Sequence, residues 1–217
     1  MHGQPDSSDG SGPEQSSYWN HNSAYHPWIR RRVAHRGGSV LDVGCGDGLL
    51  LEHLSGVCRE VVGVEVDQGA ADRARSRLAA IPSATVVRCG FADYRPDSRR
   101  FSVVTFVASL HHLPLETTLR RSAELLEPGG SLLVVGLAAR ATAVDWLLSG
   151  LAIPVVRAAN LLHREVRDIG VPVAPPREDL REIRRTARTV LPGVRIRRAL
   201  YYRYLLHWDK PSRAAAR

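Results

Sequence analysis

VLDVGCGDGLL, Val40 to Leu50, is the stretch that decides the fold. Val40 to Val43 read as a short buried strand, Gly44 to Gly48 as a tight loop, and Leu49 to Ser55 as the helix that the loop opens. Only glycine takes left-handed backbone angles without penalty, and its missing side chain lets a ligand lie against bare main chain. Backbone N–H groups and the positive end of the helix then face whatever sits above the strand.

Glycine-rich turns also serve NAD, FAD and nucleotide phosphates, so the spacing has to discriminate. The dinucleotide fingerprint runs G-x-G-x-x-G. Here the glycines stand at alternate positions, Gly44, Gly46 and Gly48, with an acid, Asp42, two residues before the first. The next apolar run, VVGVEVD, is a β-branched strand ending in acids, and Glu65 stands 21 residues beyond Gly44. A carboxylate at the end of a second strand, roughly 20 residues past the glycines, can accept both hydroxyls of a ribose. Asp67 either shares that work or caps the helix that follows.

The strand and loop resemble motif I of the class I S-adenosylmethionine-dependent methyltransferases, D/E-x-G-x-G-x-G. The resemblance implies that Gly44, Cys45, Gly46 and Gly48 pass under the methionine part of S-adenosyl-L-methionine. It also implies that Asp42 holds the amino group, directly or through water, and that Glu65 and the adjoining Val66 take the nucleoside. Two further segments carry the likeness. FSVVTFVASLHHL, Phe101 to Leu113, is similar to F-D-x-V-x-x-x-x-x-L-H-H-L, with Ser102 in place of the common Asp, and brings Ser109 to the cofactor. CGFADY falls where the family turns around adenine. The expected Asp after the strand is missing, so only a backbone role passes to Phe91 and Ala92, and Asp93 comes two or three positions late.

Around this core, strand and helix alternate five times with short connections, from Val40 to the strand LEPGGSLLVVGL that a Pro-Gly-Gly turn delivers. That alternation predicts an α/β, Rossmann-like, doubly wound sheet with the ligand at the carboxyl ends of strands one and two. A basic amphipathic helix over Glu178 to Leu191 and two alternating runs, VRIRRAL and YYRYLLHW, complete a seven-stranded sheet, mostly parallel with an antiparallel last strand. Residues 1–17 are expected to be a disordered leader, and 18–209 a single methyltransferase domain. Within it, 18–37 form an N-terminal helix or lid, 38–137 the cofactor-binding core, 138–176 a substrate cap and 177–209 the last helix and strands, before a tail at 210–217. The apolar run Thr142 to Leu162 is read as either cap or core; Pro154 and Arg157 interrupt it too much for a membrane span of about 20 residues.

His111 and His112 leave the fourth strand at its carboxyl edge. A histidine there can take a proton from a hydroxyl or amine as methyl moves, because its ordinary pKa of about 6.5 suits a base near neutral pH. The alternative is that the pair shapes the loop, with Tyr18, His21, Tyr25 and His26 as other candidate bases. No Asn/Asp-Pro-Pro-aromatic motif and no Pro-Cys pair marks a DNA-base enzyme, and no H-E-x-x-H or paired cysteines mark a metal, so none is expected. The resemblance therefore implies a small-molecule methyl acceptor, accepting at O, N or C.

The net charge of +8 raises nucleic acid as a partner, yet Lys210 is the only lysine among 30 basic residues, a skew that looks more like base composition than a phosphate track. An RNA or protein methyltransferase would need the arginines of 177–203 on one continuous face beside the cofactor. A non-catalytic binding module of the same fold would need a blocked cleft. Cys45, Cys58 and Cys89 have no C-x-x-C spacing and read as reduced fillers. No secretory signal opens the sequence, and the expected location is cytoplasmic.

Overall fold

The computed structural model describes residues 21–139, 175–199 and 203–212. The leader, the candidate base Tyr18, most of the expected cap with the apolar run 142–162, and residues 213–217 of the tail lie outside the described residues. Seven strands form one sheet: β1 (Ser39–Val43), β2 (Glu60–Glu65), β3 (Ala84–Arg88), β4 (Phe101–Val107), β5 (Leu126–Leu137), β6 (Arg195–Arg198) and β7 (Arg203–Asp209), in the order β3-β2-β1-β4-β5-β7-β6. β3, β2, β1, β4 and β5 pair in parallel, whereas β7 runs antiparallel to both β5 and β6. β1 is buried along its whole length, as a central strand covered on both faces must be.

Helices α1 (His26–Arg36), α2 (Leu49–Ser55) and α3 (Gln68–Leu78) cover one face, where Ile29, Val33, Leu51, Leu54 and Leu78 join Val40, Val103 and Leu133 in a buried layer. Helices α4 (Leu115–Leu125) and α5 (Leu180–Val190) cover the other, where Leu119, Ile183 and Ala187 meet Leu41, Phe106 and Trp208. The chain leaves β1 toward β2 on one side and enters β4 on the other, so the carboxyl ends of β1 and β4 mark the point where the strand order reverses. Open parallel sheets hold their ligands at that point.

Two local readings are sharpened. Asp67 is a helix cap: its carboxylate accepts from the Ala70 N–H at 2.8 Å, the second of its two expected roles. Pro128-Gly129-Gly130 does not precede the fifth strand but bulges within it, since Phe101 pairs with Leu126 and Val103 already pairs with Ser131. The bulge is held from the far end of the chain, where Lys210 N–H donates to Gly130 O and Gly129 N–H donates to Lys210 O. The lysine's ammonium donates to the carbonyls of Ala123 and Leu126, both at 2.7 Å, and closes the carboxyl end of α4.

Candidate active site

All three loop glycines take left-handed backbone angles, with φ of 71° at Gly44, 56° at Gly46 and 82° at Gly48. Two of them owe their identity to packing within the fold. A Cβ on Gly44 would lie 2.5 Å from Cβ of Ser109, and one on Gly48 would meet Ala74 at 3.1 Å. The space at those two positions is therefore already filled by protein. Gly46 meets the edge at the end of β2, where its N–H donates to Glu65 Oε2 at 2.9 Å.

Glu65 organises that edge. It is 5% exposed, and its second oxygen, Oε1, accepts from the N–H groups of Val66 and Asp67 at 2.8 and 2.9 Å. A carboxylate offers about four lone-pair sites, so three accepted bonds leave room for a hydroxyl donor. Val66, directly after it, is 70% exposed, the one large hydrophobic side chain among the described residues that stands in solvent. An exposed apolar face beside a fixed carboxylate suits a base and its sugar.

Asp42 lies below the loop, 2% exposed, where the Thr105 hydroxyl of β4 donates to its Oδ1 at 2.6 Å. Burial pushes its pKa up to about 7; the Thr105 hydrogen bond opposes the rise and the charge of Glu65 adds to it. Cys45 is on the wrong side to offer more than backbone. Its sulfur packs where a Cβ on Gly63 of β2 would stand, and burial raises its thiol pKa, so it is inert filler.

The exit of β4 closes over the glycine loop. Ser109 donates its hydroxyl proton to Val43 O, which makes it a strut between β1 and β4 and removes that proton from any cofactor contact. The preceding Ala108 sits at φ 54°, a strained angle for a residue with a Cβ, held by its N–H donating to Val135 O at 2.8 Å. A single helical turn follows over Leu110–His112, with Leu110 buried and the rings of His111 and His112 4.0 Å apart. His112 is exposed to solvent. His26, one of the alternative bases, is instead buried against His53 of α2.

In the turn after β3, only the backbone of Phe91 is expected at the site. Its ring is core, edge-on to Phe106 at 5.6 Å with the Arg121 guanidinium 5.4 Å from its centroid, and its carbonyl accepts from Arg121 Nε. Ala92 and Asp93 are exposed, and the Ala92 carbonyl accepts from Arg95.

Arg77 of α3 has no motif to announce it. Only 7% of its side chain is exposed, and it holds the loop's Asp47 through Nη2 at 3.0 Å and through Nε to the Asp47 carbonyl, while Nη1 reaches Glu52. Burial works against its charge, but the bonds to Glu52 and Asp47 outweigh it and its pKa rises. Residues 177–203 do not make one cationic face. Arg181, Arg184, Arg185 and Arg188 line a shallow groove on α5, Ile196 turns into the core on that same side, and Arg197 lies on the opposite face of the sheet, beside Arg32 of α1. Among the described residues no cluster of metal-binding side chains occurs, and no helix is long and apolar enough to cross a membrane.

A family model described as a methyltransferase domain matches residues 40–130, from β1 to the bulge of β5. An uncharacterized methyltransferase of Mycobacterium tuberculosis is 33% identical over 203 residues, covering 89% of this chain and 98% of its own. A ubiquinone biosynthesis O-methyltransferase of Thiobacillus denitrificans is 31% identical over 128 residues; the match spans about half of each, 52% of this chain and 54% of that one. Among solved structures, a putative methyltransferase of Bacillus halodurans superposes with a TM-score of 0.60 at 16% identity, over 87% of this chain and 100% of its own. DesVI of Streptomyces venezuelae gives 0.58 at 21%, over 88% and 92%. Such identities speak for the fold alone, but the near full-length likeness to the mycobacterial protein, laid on this glycine loop and this strand order, places the chain in the class I S-adenosylmethionine-dependent methyltransferases.

Proposed function

We propose that this chain transfers the methyl group of S-adenosyl-L-methionine to an oxygen, nitrogen or carbon of a small-molecule acceptor. The observation that carries the reading is Glu65, a buried carboxylate that ties the ligand edge of the glycine loop to the end of β2 and keeps acceptor capacity beside an exposed Val66. Glu65 would hold the ribose, Val66 one face of adenine, and the main chain of Phe91 and Ala92 its rim. Asp42 would meet the amino group from beneath the loop. The cofactor, when bound, supplies an electrophilic methyl, and the protein's own part is to orient an acceptor and take its proton.

His112 is suited to the proton. It is exposed just past the strut that Ser109 makes with β1, and His111 stacks against it. The ubiquinone-pathway relative carries out an O-methylation, which supports a phenolic or enolic hydroxyl as the first acceptor class to try. The division of the arginines between two faces of the sheet argues against a nucleic-acid track.

Calorimetric titration with S-adenosylmethionine and S-adenosylhomocysteine, with NAD as control, tests the reading. Micromolar binding of the first two and none of NAD is expected. Absence of both would overturn it in favour of a non-catalytic module.

A further inference from the structure

Arg203, the first residue of β7, stands opposite Leu137, the last of β5, and so lies at the carboxyl edge of the sheet. Leu205, two residues on, packs in the layer beneath α1, so alternation puts Arg203 on the α1 side as well. There its Nη2 donates to Asn22 Oδ1 at 2.7 Å, in the segment that leads into α1, while its Nε–H is buried without a hydrogen-bond partner among the described residues.

A guanidinium does not shed its proton in a protein, so burial leaves Arg203 charged, and among the described residues no carboxylate pairs with it. The residue remains part-exposed, so an anion can approach it. Burial lowers its pKa, and the Tyr25 phenol is what opposes the shift. The acid nearest in β7, Asp209, lies at the other end of the strand, about 20 Å away at roughly 3.4 Å per residue. It is taken by Arg36, Ser131 and His207.

The position matters as much as the missing charge. β7 is two strands from β4, so Arg203 stands about 10 Å from the exit of β4 at about 4.8 Å between strands. One aromatic ring and an arginine side chain together cover that gap. A planar carboxylate matches the planar fork of an arginine, and a site built to satisfy a buried donor rejects an acceptor that lacks its partner.

We infer that Arg203, anchored by Asn22, is a specificity-determining residue that binds a carboxylate borne by the methyl acceptor, so that the acceptor is an organic acid. The inference rests on the methyltransferase reading above and narrows its acceptor class.

The test is nitrogen NMR of the Arg203 Nε–H, whose burial slows exchange with water, in protein saturated with S-adenosylhomocysteine. The signal is assigned by its loss in Arg203→Lys. Benzoate is expected to shift it saturably, benzamide at equal concentration to leave it in place, and inorganic phosphate not to displace benzoate. In Arg203→Gln, benzoate affinity falls by about tenfold or more while the affinity for S-adenosylhomocysteine is unchanged. A signal that benzoate does not move, equal benzoate binding in Arg203→Gln, or displacement by phosphate would each overturn the inference. Should Arg203→Gln fail to fold, the titration of the native protein still decides. Failure to bind S-adenosylhomocysteine at all is a separate result, since it removes the methyltransferase reading itself.

Discussion

His26 and His53 face each other across α1 and α2 with their Nδ1 atoms 3.0 Å apart, ring edge to ring face at a centroid distance of 5.2 Å. One ring donates and the other accepts, so the contact needs one Nδ1 without a proton. Burial, and next the proximity of His53, lower the pKa of His26 to about 3. His53 is lowered mainly by burial, with Arg77 and Arg30 adding to the effect and Glu52 opposing it. The unfolded chain therefore binds protons below about pH 6.5 that the folded chain refuses until about pH 3. Stability from this pair is full above that upper value and declines as the pH falls through the window, by up to about 1.4 kcal/mol per pH unit for one such group. Urea denaturation at pH 7.5 and pH 5.5 should show a loss in the native protein that is smaller in His26→Gln. Equal losses in both would show that the pair does not govern acid sensitivity.

The clash between an added Cβ at Gly44 and Ser109 makes a paired prediction. Gly44→Ala should destabilise the fold by about 2 kcal/mol or more, from overpacking plus a left-handed alanine. Ser109→Gly should recover the overpacking part in the double variant, leaving about 1 kcal/mol of backbone strain beyond the cost that Ser109→Gly alone carries for its lost bond to Val43 O. Additive effects would mean that the two residues do not share the space.

Gly46→Val and His112→Ala separate binding from chemistry. A valine at φ 56° would shift the N–H that Glu65 accepts, so calorimetry should find S-adenosylhomocysteine binding abolished. His112→Ala should bind as tightly as the native protein but turn over about a hundredfold or more slower on an acceptor whose proton must be taken. Its pH–rate profile should lose the limb of a base. An unchanged profile would leave His112 as a loop-shaping residue.

Arg77→Met removes the partner of Asp47 and Glu52 while keeping much of the side-chain volume. Breaking a buried pair this way costs about 3 kcal/mol, and the loosened loop should also weaken cofactor binding. A variant that loses stability but binds normally would place Arg77 in the fold alone.

Much of the architecture could be read before any coordinates, because its signals are local. The strand Ala84–Arg88 runs between the same residues in both readings, since it is a short β-branched run bounded by turn residues. The glycine loop and Glu65 were legible for the same reason. What escaped depends on partners far along the chain. The bulge in β5 looks like a turn until Lys210 arrives to hold it, and Arg77 looks like one more surface arginine of α3 until Asp47, 30 residues earlier, folds against it. His26 and His53, 27 residues apart, are a further case. At Phe91 only a main-chain role is expected, and the side chain goes into the core, where its size and apolar ring place it.

Lys210 gives the molecule a single ε-amine among its 217 residues, and that amine is bound to the last carbonyls of α4. Burial and then Arg100 lower its pKa, which favours the neutral, nucleophilic form. Acylating reagents that normally decorate a protein at dozens of points would here address one side chain. Modification there removes the closure of α4 while the backbone tie of Lys210 to the bulge of β5 stays in place, so the rate of labelling reads how often this helix end comes undone.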